Sequence, residues 1–207
     1  MNIGFLASHT GSNMQAIIDA CKSGALQANP AVVISNNSNS GAITQAKREG
    51  IPFYHLSQTT HPEQEKLDQA ILDTLLKHDV DVVVLAGYMK KLGPKTLSHF
   101  KGAILNIHPA LLPKFGGKGM YGIHTHEAVI EAKEKESGVT IHVVDAEYDT
   151  GPVIAQVKIP VLPNDTPETL QARVLELEHF FFPETLQRIV LGEIRLPRNQ
   201  RLRVWFL

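Results

Sequence analysis

An α/β fold built on a mostly parallel, mixed sheet with helices on both faces is what this sequence predicts, from three observations. Short apolar runs alternate with longer segments whose apolar residues recur every three or four positions. The run 81–86, Asp-Val-Val-Val-Leu-Ala, is continuous and β-branched, as a strand covered on both faces requires. Polar or glycine-bearing turns follow several of the apolar runs, which is the punctuation of a βαβ series. Such a series predicts parallel pairing through right-handed crossovers.

The elements follow in order. Residues 3–7 form the first strand and end in Ser8-His9-Thr10-Gly11-Ser12. Over 13–21, Met14, Ile17, Ile18 and Cys21 keep helical spacing. Residues 31–35 are a second strand, followed by a polar loop at 36–41. A helix over 42–49 stops at Gly50, a normal C-terminal signal. Residues 51–54 make a third strand, and 63–77 resume the helical period through Leu67, Ala70, Ile71 and Leu75. After the strand at 81–86 comes another at 103–108, then a loop rich in proline and glycine over 109–122. A helix at 125–135 and a strand at 139–144 follow. A tight turn precedes the strand at 153–161, which favours antiparallel pairing there and makes the sheet mixed. Residues 167–191 are a long closing helix, with a bend expected near Pro183.

With 207 residues the chain can bury one full core. We expect a single domain over 1–197 and a basic tail with an apolar end over 198–207. The net charge of −1 gives no bulk electrostatic support to a nucleic-acid partner. The single cysteine, Cys21, has no internal disulfide partner and reads as a packed helix residue. Residues 1–7 lack the basic leader of a signal peptide, and no run reaches the length of a membrane span. These features predict a soluble cytoplasmic protein without a membrane partner, either a monomer or a weak homodimer.

The most informative residues are Asn106-Ile107-His108-Pro109 and, beyond the glycine-rich loop, Asp149-Thr150-Gly151-Pro152. Residues two apart on a strand point the same way, so Asn106 and His108 share an aim, and Pro109 keeps His108 extended. Asp149, in the turn after the strand at 139–144, is within reach of that imidazole. An amide donor, a titratable acid and a carboxylate that tunes it suit acyl transfer. The carboxylate is expected to raise the pKa of His108.

Ligands of open α/β sheets bind beyond the carboxyl ends of the strands, and Ser8 to Asn13, Ala86 to Leu92 and Asn106 to His108 all occupy such ends. Gly11-Ser12-Asn13 opens a helix whose free N–H groups attract an anion, although simple capping by Ser12 or Asn13 explains it as well. It is neither a Walker A loop nor a G-x-G-x-x-G fingerprint. His124, His126 and His142 invite a metal reading, but two of them stand two apart on a helix, and no cysteine or His-Glu-x-x-His pattern joins them. No metal is expected.

Several spaced segments, in order, resemble the phosphoribosylglycinamide formyltransferases, folate-dependent enzymes of purine synthesis. They are Gly11 to Asn13, Asp81 to Met89, Asn106 to Lys114, His124 to His126, Asp149 to Pro152, Arg173-Val174, Glu178-His179 and Pro183. The resemblance implies a Rossmann-like formyltransferase fold and formyl transfer from 10-formyltetrahydrofolate to the amine of phosphoribosylglycinamide. It implies Asn106, His108 and Asp149 as the catalytic set. Gly11, Ser12 and Asn13 would hold the substrate phosphate, and Glu178 would also contact that substrate. Met89, Lys90, Lys91 and Leu92, with Asn106, would bind the folate.

Gln64 departs from the pattern, since members of the family often carry a basic residue there for the folate carboxylate. Lys66 and Lys90 are the candidates to replace it. The glycine-bearing loop over 114–121 is longer than in many members. Methionyl-tRNA formyltransferase and formyltetrahydrofolate deformylase share the Asn-x-His and Asp residues, but each would carry a further module. A non-catalytic module for a phosphorylated metabolite would explain Gly11 to Asn13 and leave the other set without a purpose.

Overall fold

The computed structural model describes residues 1–197; the proposed tail at 198–207 lies outside them. The elements run β1 (Asn2–Ala7), α1 (Ser12–Ser23), β2 (Asn29–Ser35), α2 (Gly41–Glu49), β3 (Phe53–His55), α3 (Gln64–Lys77) and β4 (Val82–Leu85). They continue as α4 (Pro94–His99), β5 (Ile104–His108), α5 (Ile123–Glu131), β6 (Glu136–Val143), β7 (Val153–Pro160) and α6 (Pro167–Val190). One seven-stranded sheet carries the order β3-β2-β1-β4-β5-β6-β7.

β1 to β5 are parallel, whereas β6 pairs antiparallel with β5 and β7 antiparallel with β6. The mixed, mostly parallel sheet expected from the sequence is therefore present, with the change of direction already at β6. Strand order reverses between β1 and β4, because β2 and β3 lie on one side of β1 and β4 and β5 on the other. The crevice beyond the ends of β1 and β4 is the place where such sheets take ligands.

Alternation along the strands sends side chains into two cores. Ile3, Phe5 and Ala7 of β1 with Val82 and Val84 of β4 pack against Met14 and Ile17 of α1, Val129 of α5 and Leu170, Val174 and Phe182 of α6. Leu6, Val83 and Leu85 face the opposite layer, where Ile71 and Leu75 of α3 and Phe100 after α4 cover them. Helices thus occupy both faces, which is why β4 carries no polar residue.

Two element expectations needed correction. The short helix α4 was not foreseen: six residues carry too little period, although Gly93-Pro94 holds the proline-at-first-turn signal. Its amides are closed from outside, since Lys95 N–H and Thr96 N–H donate to the Asp68 carboxylate at 2.8 and 3.1 Å. α5 starts and ends earlier than expected, and Lys133 at φ 53° takes the chain out of the helix. The closing helix expected over 167–191 is α6, and Pro183 is buried inside it.

Candidate active site

The antiparallel pairing of β5 with β6 builds the centre of the site. In that register Asn106 faces His142 and His108 faces Thr140. Nδ1 of His142 lies 2.9 Å from the Val143 carbonyl and donates to it. In the neutral ring Nε2 is therefore the acceptor, and Asn106 Nδ2 stands 3.1 Å from it. One amide N–H of Asn106 is thereby used, and the second remains for the cleft.

Asp149 enters from the turn between β6 and β7 in the left-handed region at φ 58°, a conformation that Asp tolerates better than most residues. The turn is tight enough that a side chain at Gly151 would collide with the Val143 carbonyl. One carboxylate oxygen of Asp149 lies 3.5 Å from Nδ1 of His108, and the other lies 3.4 Å from Nε2 of His142. Gly117 N–H donates to Asp149 Oδ2 at 2.9 Å, and Nε2 of His108 donates to the Phe115 carbonyl at 2.6 Å. The glycine-bearing loop therefore closes over both partners. Thr140 anchors the start of that loop: its hydroxyl donates to Ala110 O at 2.6 Å and accepts Leu112 N–H at 3.1 Å.

Burial decides the electrostatics of His108, which is 3% exposed. Desolvation pushes its pKa below the ordinary 6.5, while the Asp149 charge and the hydrogen bond to Phe115 push it up without overcoming burial. The expected net rise is thus corrected: Asp149 acts in the expected direction but loses to desolvation. Burial tends to raise the pKa of Asp149, yet His142, the His108 charge and Gly117 N–H together hold it below the ordinary carboxylate value. Asp149 is therefore an anion near neutrality. Beside it, burial and the neighbouring His108 charge press His126 of α5 down to about 4.

Two clefts meet beside this centre. One, of about 80 Å³, is lined by Asn106, His142, Asp149, Leu85, Leu92, Val144, Lys90, Lys91 and the 145–148 turn. The other, of about 340 Å³, runs past Asn36, Ser57, Gln58 and Gln64. Tyr88, Lys90 and Lys91 line both. Lys91 is held 3.1 Å from Glu147, and Lys66 is tied to Glu63 at 2.6 Å. Lys90 has no ion pair among the described residues, so of the two candidates to replace a basic residue at Gln64, Lys90 is the available one. Leu92 is buried, and Met89, 37% exposed, lines neither cleft.

Gly11, Ser12, Asn13 and Glu178 form a separate corner. Gly11 is left-handed at φ 72°, and no side chain caps α1, so its first amides are free of capping partners. Asn13 donates to the buried Glu178 carboxyl at 2.6 Å. Burial raises that carboxyl to about 7 against the pull of the Asn13 hydrogen bond.

The sequence model of the family described as formyl transferase matches residues 1–186. The chain belongs to the formyl transferase family. It is 41% identical to the phosphoribosylglycinamide formyltransferase of Haemophilus influenzae over 95% of this chain and 91% of that protein. Glycinamide ribonucleotide transformylase 1 of Symbiobacterium toebii superposes with a TM-score of 0.86 at 36% identity, over 95% of this chain and 93% of that one. A formyltetrahydrofolate deformylase of Pseudomonas syringae pv. tomato superposes with a TM-score of 0.81 at 25% identity, but over only 61% of its own chain.

Within this formyl transferase fold, the sequence reading missed three participants. His142 was considered only as a metal ligand, although its place across from Asn106 on the same face of the sheet follows from the strand register. Tyr88 lies in the strand-end segment Ala86 to Leu92 but was not singled out there, and the Phe115 carbonyl carries no sequence signal of its own. His124 stands apart, exposed and 2.9 Å from Glu127, so the three histidines do not converge. The described residues hold no cluster of three or more His, Cys, Asp or Glu side chains placed for a metal. No described helix is long and apolar enough to cross a membrane.

Proposed function

We propose that the protein transfers the formyl group of 10-formyltetrahydrofolate to the amine of N1-(5-phosphoribosyl)glycinamide, a step of purine synthesis. The observation that carries this reading is the placing of Asn106 and Asp149 on one cleft of a formyl transferase chain, with Nδ1 of the buried His108 lying 3.5 Å from that Asp149 carboxylate. The pterin end of the donor enters the cleft between Leu85, Leu92, Val144 and the 145–148 turn, and Lys90 meets its carboxylates. The phosphate of the acceptor sits on the amides of Gly11 to Asn13 at the start of α1, where the helix favours an anion. Glu178 binds the same substrate through its partly protonated carboxyl.

The acceptor amine attacks the formyl carbon, and the formyl oxygen becomes an oxyanion. The free N–H of Asn106 and protonated His108 donate to it, the interaction that contributes most to such reactions. In the resting site the Phe115 carbonyl occupies the Nε2–H of His108. An oxyanion is a stronger acceptor than a carbonyl, so it displaces Phe115 as the intermediate forms. Asp149 stays ionised and balances the imidazolium. The intermediate then collapses: the bond from the formyl carbon to the folate nitrogen breaks, the amine loses one proton, and the departing nitrogen gains one through His108 or an ordered water.

The test is a formyl-transfer assay with purified protein, both substrates and each substrate alone. Formylated product formed only when both are present supports the reading. Release of formate at the same rate without the acceptor would make water the nucleophile and the protein a deformylase. Binding of the phosphorylated acceptor with no turnover would leave only a binding module.

A further inference from the structure

One buried hydroxyl stands where the two proposed subsites meet. Ser8, 3% exposed, immediately follows β1 at the point where strand order reverses, three residues before Gly11. Its backbone N–H donates to Gly87 O at 3.1 Å, and its hydroxyl accepts Met89 N–H at 2.8 Å. It therefore brackets the turn that presents Tyr88, one of three residues shared by both clefts. The same hydroxyl donates to Oδ1 of Asn36 at 2.6 Å. That leaves it no spare proton and fixes its direction. Hydrogen bonds in series of this kind strengthen one another.

The neighbouring backbone has little room to move independently. Gly87 turns at φ 73° immediately before Tyr88. On the other side Ala42 N–H donates to His9 O at 3.1 Å, and a side chain at Gly41 would press on Thr10 O at 2.9 Å. The loop leading to Gly11 is thus wedged between α2 and the 87–89 turn, and Ser8 is its only side-chain bond to that turn among the described residues.

We propose that Ser8 is a positioning residue that couples the two substrate subsites, so that ordering the Gly11–Asn13 loop around the acceptor phosphate also orders the Tyr88–Met89 turn of the donor cleft. The inference rests on the assignment of those subsites made above. A first ligand that rigidifies a shared element lowers the ordering cost of the second, and the effect is reciprocal.

Calorimetric titration of the whole protein with phosphoribosylglycinamide, alone and with saturating tetrahydrofolate, tests the coupling without turnover. In the parent protein the dissociation constant should fall by about fivefold or more when the folate is present, the lower end of ordinary coupling. In Ser8→Ala that factor should shrink to within about twofold of unity. Asn36→Asp, which keeps an acceptor for the hydroxyl, should retain it. A residue that merely stabilises the fold would weaken both affinities and leave their ratio unchanged. Should Ser8→Ala fail to fold, Ser8→Cys keeps the size with much weaker hydrogen bonding and must show the same loss. An undiminished factor in the folded Ser8 variant, or no coupling in the parent protein, overturns the proposal. Failure of either ligand to bind the parent protein overturns the subsite assignment instead.

Discussion

Oδ2 of Asp149 lies 3.5 Å from Nδ1 of His108, inside a site where burial alone would leave the imidazole neutral. The carboxylate is thus the principal charge opposing desolvation, and its removal has a definite sign. In Asp149→Asn the pKa of His108 should fall further below 6.5, reducing the imidazolium fraction at pH 7. Formyl transfer at pH 7 should drop by about tenfold or more, because each unit lost from a pKa already below the assay pH removes about nine-tenths of the acid form. Part of the loss should return as pH is lowered, until protonation of the amine nucleophile takes over. NMR titration of His108 in both proteins checks this. An unchanged His108 pKa would falsify the electrostatic role.

Asn106→Asp replaces a donor by an anion next to Asp149 and the forming oxyanion. Turnover should fall by about a hundredfold or more, the order seen when one oxyanion donor is removed. The new carboxylate no longer donates to Nε2 of His142, so the contact that aims the side chain at position 106 is lost as well. Steady-state kinetics with circular dichroism to verify folding decides the matter, and near-normal turnover in folded protein removes Asn106 from the mechanism.

The legibility of this chain divides along physical lines. β1, β2 and β4 were readable because buried parallel strands must be continuous apolar runs, and α1, α2 and α3 because their core faces repeat at helical spacing. α4 was not, since its stability comes from Asp68, a residue 28 positions from Thr96. Asn106, His108 and Asp149 stood out because motif order and turn chemistry are local properties. What joins them is not local. The register that sets His142 against Asn106, the loop carbonyl that engages His108 and the burial that reverses the net shift of its pKa all follow from tertiary packing.

Glu178 gives a prediction about stability. Its folded pKa of about 7 lies above the ordinary 4.5, so between those values the native state holds a proton that the unfolded chain has released. Its contribution is fully present below pH 4.5 and is lost as pH rises through about 7, to the extent of about 3 kcal/mol. Glu178→Gln keeps an acceptor for Asn13 and has no proton to lose. Denaturant unfolding at pH 5 and pH 7.5 should show the parent losing more stability across that interval than the variant. Equal losses would mean that the carboxyl titrates normally.

Gly116 lies between the two loop contacts on the site, the Phe115 carbonyl on His108 and the Gly117 N–H on Asp149. A methyl group there would meet the Leu112 side chain and stand 3.2 Å from Cβ of Asp149. The φ of Gly116 is not positive, so space, not backbone strain, is what alanine violates. The Leu112 side chain is buried, so packing around it limits how far Cδ2 can turn aside. The tight contact with Asp149 Cβ then pushes the loop and Asp149 apart. Gly116→Ala should lengthen the Gly117–Asp149 contact, remove one of the bonds that keep Asp149 ionised and raise its pKa. At pH 7 the carboxylate still persists, so the activity loss should come from misplacement and amount to about tenfold or more, as displacements of the order of an ångström cost in such sites. Phosphoribosylglycinamide affinity should change little, because the corner at Gly11 and Glu178 does not touch this loop. Turnover and binding measured on the same preparation separate these effects, and parent-like turnover in Gly116→Ala would show that the loop does not hold Asp149 in its working position.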